Sequence, residues 1–246
     1  MTLVISHVMS TGYACVTSDT MARTMRYTGV PYGPDTKFIG EPRESDKTEL
    51  LTNNVILSSS GMQPITDPVR KLLRRRTKKI MYLDDCIPLL KSVWEEVQAK
   101  YVNDWFFVSL KDDKQYSVTL TGFYKNGATG RVDLDAGKVT EMVCQSEGEY
   151  QKAIVSISSP SQEVSDLADT LKKPIFKAGS MEEVAEQYNV IHALVAATHP
   201  EVVSKKMKML WLQIEEGNIV SNTVTIDISH RVEFYKKALQ SIKQDQ

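Results

Sequence analysis

Apolar and polar positions along the first sixty residues fall in short, strand-length runs. Residues 3–9 are mostly apolar and β-branched, Ser10-Thr11-Gly12 has turn chemistry, and residues 13–17 are apolar again. That pattern predicts a hairpin at the start of the chain. Residues 23–43 carry three Gly and three Pro among polar residues and read as a long surface loop. "KTELLTNNVILSSSG" then gives two more strands around Asn53-Asn54. The period changes in residues 62–79, where Ile65, Val69, Leu72 and Leu73 recur at helical spacing, and again in 84–101 with Ile87, Leu90, Val93, Trp94 and Val97. Strand-like runs follow at 105–110, 116–123, 130–135, 138–144 and 152–158. Residues 161–172, 180–198 and 201–216 read as helices, the last with Met207, Met209, Leu210, Trp211 and Ile214 as a buried face. "NIVSNTVTIDISH" is a late strand, and 231–242 a closing helix.

Helices arriving in blocks between blocks of strands do not fit the βαβα alternation of a doubly wound sheet. They predict an α+β fold in which sheets pack together with helical layers outside. No internal repeat or linker divides the chain, so 1–246 reads as a single domain. Composition narrows the class without naming the job. The chain is 41% hydrophobic and 25% charged, with a net charge of −1, an ordinary globular balance. It excludes a disordered tail and argues against a globally basic nucleic-acid binder. Cys15, Cys86 and Cys144 form no C-x-x-C pair, which speaks against a disulfide framework or thiolate zinc site and for a reducing, cytoplasmic compartment. No run approaches the about 20 apolar residues of a membrane helix, and the first residues lack a signal peptide's charged and apolar regions. His7, His192, His199 and His230 make no metal-binding pattern.

The candidate chemistry begins at Thr2. Trimming of Met1 before a small residue would leave a hydroxyl nucleophile and a free α-amine on one residue. That amine titrates at roughly 7.7–8.0 and can accept a proton near neutral pH. Asp19 ends the second strand in "ACVTSDT", Lys47 stands in "ESDKTELL" ahead of the next strand pair, and "VILSSSGM" closes a strand at Ser60-Gly61 before a helix.

In that order, Thr2, Asp19-Thr20, Asp46-Lys47 and Ser60-Gly61 resemble the proteasome-like branch of the N-terminal-nucleophile (Ntn) hydrolases, with proteasome beta subunits and bacterial HslV-type peptidases as the specific likeness. The resemblance covers nearly the whole chain. It implies a four-layer αββα sandwich, two antiparallel sheets between helical layers, and a threonine-type hydrolase that cleaves peptide (amide) bonds of peptide or protein substrates. Thr2 would attack and Lys47 would lower the pKa of its hydroxyl. Asp19 would hold Lys47 by a charge-assisted bond, and Gly61 N–H would stabilise the oxyanion. The family's supporting Ser corresponds to Ser158 or Ser159 in "SISSPS", or to Ser180 in "KAGSME", with Ser159 following the better strand. A further family pair, an Asp and a Ser three residues on, maps to Asn218 and Ser221, and Asn218 cannot supply the carboxylate. The resemblance further implies a self-compartmentalising homo-oligomeric ring, an ATP-dependent unfoldase as partner, and no cofactor.

Three features support an alternative, a catalytically inactive ring-forming or scaffold protein of the same fold. The 23–43 loop lengthens the stretch between Asp19 and Lys47, Asn218 replaces an acid, and a retained Met1 would block the amine. The run "RKLLRRRTKK" at 70–79 holds seven basic residues in ten. It reads as a solvated helix end favoured by the helix dipole, or as a module that docks an anionic partner.

Overall fold

The computed structural model describes residues 3–25, 38–112, 116–145, 153–158, 181–201 and 203–244. The opening hairpin is present as β1 (Val4–Met9) and β2 (Tyr13–Asp19). Both strands are buried on their two faces, so neither shows clean alternation of apolar and polar residues. A short pair, β3 (Met21–Met25) and β4 (Phe38–Glu44), precedes β5 (Thr48–Thr52) and β6 (Val55–Gly61). Three helices follow: α1 (Gln63–Arg76), α2 (Leu83–Lys100) and α3 (Trp105–Leu110). Next come β7 (Tyr116–Phe123), β8 (Thr129–Asp135), β9 (Lys138–Cys144) and β10 (Ala153–Ser158). The chain ends with α4 (Met181–Thr198), β11 (Lys206–Glu215), β12 (Asn218–Asp227) and α5 (Ser229–Gln244).

Two five-stranded antiparallel sheets form, in the orders β10-β1-β2-β11-β12 and β5-β6-β7-β8-β9. Three separate apolar cores define four layers. Val55, Leu57, Leu120 and Leu134 of the second sheet pack under Ile65 and Leu73 of α1 and Leu90 and Trp94 of α2. Between the sheets, Val4, Ala14, Val16 and Leu212 meet Ile56 and Phe123. On the far side, Leu3, Ile5, Met207 and Met209 pack against Val184, Tyr188 and Ile191 of α4 and Val232 of α5. Each fully buried aliphatic side chain is worth about 1.5–3 kcal/mol relative to exposure, and every layer boundary has its own set. The architecture is the αββα sandwich expected from the sequence.

Three local expectations are corrected. The 105–110 run is a helix, α3, because Asp104 caps it: its Oδ1 accepts from Phe107 N at 3.1 Å. A six-residue apolar run cannot be told apart by period alone. The 201–216 segment contains strand β11, not a helix. Met207 and Met209 face α4 and α5, while Leu210 and Leu212 face the other sheet. A central strand buried on both faces imitates a continuous apolar helix face. The ends of the 23–43 loop pair as β3 and β4, with Met21 opposite Glu44 and Thr24 opposite Ile39. The register slips between these pairs, where Gly40 (φ +70°) and Pro42, which has no N–H to donate, are accommodated. The helix expected at 161–172 lies outside the described residues. Among the described residues no helix is long and apolar enough to cross a membrane.

Candidate functional site

The site assembles where the two sheets meet at the beginning of the chain. Asp19 closes β2 and lies alongside Leu3: Asp19 N donates to Leu3 O at 3.1 Å, and Leu3 N donates to Asp19 Oδ1 at 2.9 Å. Met21 N donates to the other carboxylate oxygen at 3.0 Å. Lys47, from the segment leading into β5 of the second sheet, donates its Nζ to both oxygens at 2.8 and 2.9 Å. Its backbone carbonyl accepts from Ser59 N of β6 at 3.0 Å, which fixes the lysine stem against that strand. Asp19 has no exposed surface and Lys47 is 5% exposed. Burial pushes the Lys47 ammonium below the ordinary lysine range, and the Asp19 carboxylate opposes that shift. The Leu3 nitrogen bonded to Asp19 belongs to the peptide bond joining Leu3 to Thr2. Thr2 itself lies outside the described residues, as do Ser159 and Ser180; of Ser158 only the backbone, at the end of β10, is described.

Gly61 ends β6 opposite Tyr116 with φ +81°, a left-handed conformation that glycine adopts without steric cost. Met62 follows as the N-cap of α1, so the chain turns from strand to helix at this glycine. Beside it opens a cleft of about 30 Å³ whose lining includes Arg23, Lys47, Ser59, Gly61, Gln63 and Arg70. Lys47 and Gly61 are therefore brought to one cleft, with Asp19 behind the lysine.

Asn218 and Ser221 are not brought there. Asp19 pairs with Met207 at one end of β11, whereas Asn218 pairs with Glu215 at the other. Eight residues at about 3.3 Å each separate the two positions by about 26 Å. Asn218 Nδ2 donates to Glu216 O, within its own hairpin turn, at 3.4 Å. Ser221 lies opposite Leu212, partway along β11. An acidic residue with a Ser three positions on also stands at Glu201 and Ser204, ahead of β11 and beside the end of β2. Ser204 Oγ accepts from Thr20 N at 3.1 Å and lies 3.2 Å from Thr20 Oγ1, directly after Asp19. Glu201 O accepts from Arg23 Nε at 3.0 Å.

One further group carries no sequence signal, and one that does is placed differently from its reading. His192 of α4 is fully buried, with Nε2 3.1 Å from Thr17 Oγ1, two residues before Asp19. Burial first, and then the charge of Lys47, lower its pKa to about 3, so the ring is neutral near pH 7. The basic run is not simply solvated. Arg70 Nη2 donates to Asp46 O at 2.9 Å and to Glu49 Oε1 at 3.0 Å, and Arg74 Nε donates to the same Glu49 at 2.7 and 2.8 Å. Among the described residues no three His, Cys, Asp or Glu side chains gather as metal ligands would.

Comparison with solved structures shows the fold. The chain is similar to Anbu (ancestral beta-subunit) from Yersinia bercovieri, with a TM-score of 0.63 and 13% identity over 99% of this chain and 97% of that one. It is likewise similar to Anbu from Pseudomonas aeruginosa, solved as a helical assembly of the Anbu complex, with a TM-score of 0.63 and 12% identity over 100% and 97% of the two chains. Anbu from Hyphomicrobium sp. strain MC1 gives a TM-score of 0.57 and 10% identity over 99% and 96%. The fold is proteasome-like. The specific likeness to proteasome beta subunits or HslV-type peptidases is overturned, because these neighbours are Anbu proteins, a distinct family, and identities of 10–13% support no assignment beyond the fold. No protein-family model matches the sequence, and no curated protein matches it.

Proposed function

We propose that the chain is a threonine-type Ntn hydrolase of amide bonds, built as one domain over 1–246. The observation that carries this reading is the bonding of Asp19, which accepts from both Leu3 N and Lys47 Nζ. The backbone N–H of Leu3, the residue that follows Thr2 in the chain, and a buried ammonium thus share one carboxylate. Cleavage between Met1 and Thr2 would expose an α-amine next to the Thr2 hydroxyl. Thr2 Oγ then attacks the amide carbon, the amine takes the hydroxyl proton and returns it to the leaving nitrogen, and the acyl ester is released by water. Lys47 favours the alkoxide electrostatically, Asp19 keeps Lys47 charged and oriented, and Gly61 N–H meets the developing oxyanion. Ser204 positions Thr20 and through it the end of β2. Ser159 remains the candidate for a hydroxyl that supports the nucleophile.

Self-assembly belongs to the same proposal, supported by the fold neighbour solved as a helical assembly. Cys15, Cys86 and Cys144 are buried free thiols, in keeping with a cytoplasmic working compartment. Intact mass combined with labelling by a peptide electrophile that captures a terminal threonine tests the hydrolase. The expected result is a chain lacking Met1 with one adduct that disappears in Thr2→Ala. A chain that keeps Met1 and takes no adduct would refute the proposal.

A further inference from the structure

The chemistry of the cleft beside Lys47 and Gly61 specifies more than a place for an amide bond. Its lining includes three cations, Arg23, Lys47 and Arg70, with hydroxyls from Ser45, Ser59, Ser60 and Thr66. Among the described residues no carboxylate lines it, and Ala22 is the one apolar side chain that does. A leucine or phenylalanine side chain placed there would gain little apolar contact and would strip water from charged groups.

The nearby carboxylates among the described residues are already engaged. The Asp19 carboxylate is committed to Lys47, and Asp46 to Lys208 Nζ at 2.7 Å. Glu49 is shared between Arg70 and Arg74, so two guanidinium groups face one carboxylate. Arg70 is 7% exposed, yet its buried Nε has no hydrogen-bond partner. A buried donor left unpaired is costly, and a guanidinium presents its donors in a fork that matches a carboxylate. The narrow space, about 30 Å³, suits a small polar group better than an aromatic ring. Gly61 and Lys47 border the same space, so a peptide whose carbonyl meets Gly61 N–H would lower its neighbouring side chain into it.

We infer that this cleft is a subsite for an acidic side chain, and that the substrate carries Glu or Asp immediately before the cleaved bond. The inference rests on the hydrolase reading for its orientation, but binding tests it separately. Fluorescein-labelled peptide amides that differ only in that residue (Glu, Gln or Leu) are titrated by anisotropy into the full-length Thr2→Ala chain, which cannot turn them over. The Glu peptide is expected to bind about tenfold more tightly than the Gln peptide, with the Leu peptide weakest. Gln63→Glu adds a carboxylate to the lining at an exposed position in the first turn of α1, where acid suits the helix dipole. It should erase that preference, as should Arg70→Gln. Gln63→Glu keeps the test decisive should Arg70→Gln fail to fold. Leu binding as tightly as Glu, a preference untouched by Gln63→Glu, or no binding of any peptide would overturn the subsite. An acidic preference without any Thr2 adduct in the unmutated chain would sink the hydrolase and leave the subsite standing. An adduct formed only with a Leu-bearing electrophile would do the reverse.

Discussion

Asp19–Lys47, which joins the two sheets, and Arg131–Asp133, which lies within one sheet and reaches the other through Ser6, are both buried ion pairs, and their surroundings differ in what they leave unfinished. Arg131 and Asp133 lie on β8, with Arg131 Nε 2.7 Å from Asp133 Oδ2 and Arg131 Nη1 donating to Ser6 Oγ of β1 at 2.8 Å. Asp133 also accepts from Thr119 Oγ1 at 2.6 Å. Every partner is a side chain of a sheet interior, so this pair fixes how one sheet sits on the other. Asp19 instead accepts from two backbone N–H groups at the start of the chain and its turn, and its lysine opens on a cleft. The first pair is closed on itself; the second holds a charge where something else can use it. Burial is similar in the two, so burial does not separate structural from functional pairs. The direction in which the remaining donors face does.

Removing one partner should be costly in both places. Asp19→Ala and Asp133→Ala each leave an uncompensated buried cation and should lose about 3–5 kcal/mol, read as a drop in the urea midpoint. Replacing both partners separates the pairs. Arg131→Leu with Asp133→Val should stay within about 2 kcal/mol of the parent, since apolar substitutes often replace a buried pair at little cost, less the orphaned Ser6 and Thr119 hydroxyls. That double variant should keep Thr2 labelling. Lys47→Met with Asp19→Leu should lose labelling whatever its stability. Equal labelling in the two doubles would erase the distinction.

Acid gives the next largest contrast. His7 is wedged between the Tyr13 and Tyr188 rings, with centroids at 6.0 and 6.2 Å, and burial lowers its pKa to about 4. His192, near Lys47, is lowered to about 3. In the unfolded chain both titrate near 6.5. As pH falls from about 6.5 toward 4, the unfolded state therefore binds protons that the folded state refuses. Stability falls with pH over that window by up to about 1.4 kcal/mol per pH unit for each ring. His7→Phe should flatten the pH dependence of the urea midpoint by one ring's share, and an unchanged slope would show that the ring is already protonated in the fold. The acid-sensitive groups lie in the core shared by β1, β2 and α4, with His7 on the face of β1 opposite the Ser6 hydroxyl that meets Arg131.

The residues explain which parts of this arrangement could be read in advance. Strands β5 to β8 and helices α1 and α2 announce themselves because their flanks carry Asn, Gly, Pro or Asp and their periods are clear. Asp19, Lys47 and Gly61 were legible because each stands at a strand end, where order along the chain is preserved in space. β11 was not, because a strand covered on both faces has no period of two to detect. Reading 201–216 as a helix also drew attention away from Glu201 and Ser204, which the fold places next to Thr20. Arg131 and His192 could not have been found at all. Their partners, Ser6 and Thr17, are 125 and 175 residues away, and only the sheet packing brings them together.

The smallest expected effects decide whether Ser204 or Asn218 bears on the site. Ser204 is the acceptor for Thr20 N and also binds Lys206 O at 2.7 Å, so it ties the residue after Asp19 to the start of β11. Ser204→Ala should cost about 1 kcal/mol, the net worth of an intramolecular hydrogen bond with some exposure, and should slow Thr2 labelling because the end of β2 is less firmly held. Asn218→Asp should change stability by less than about 0.5 kcal/mol, as for an exposed position, and leave labelling unaltered, since about 26 Å of strand lies between it and Asp19. Labelling that accelerates in Asn218→Asp and ignores Ser204→Ala would mean that the pair works from the far hairpin. The register of β2 against β11 would then be wrong as a guide to the site.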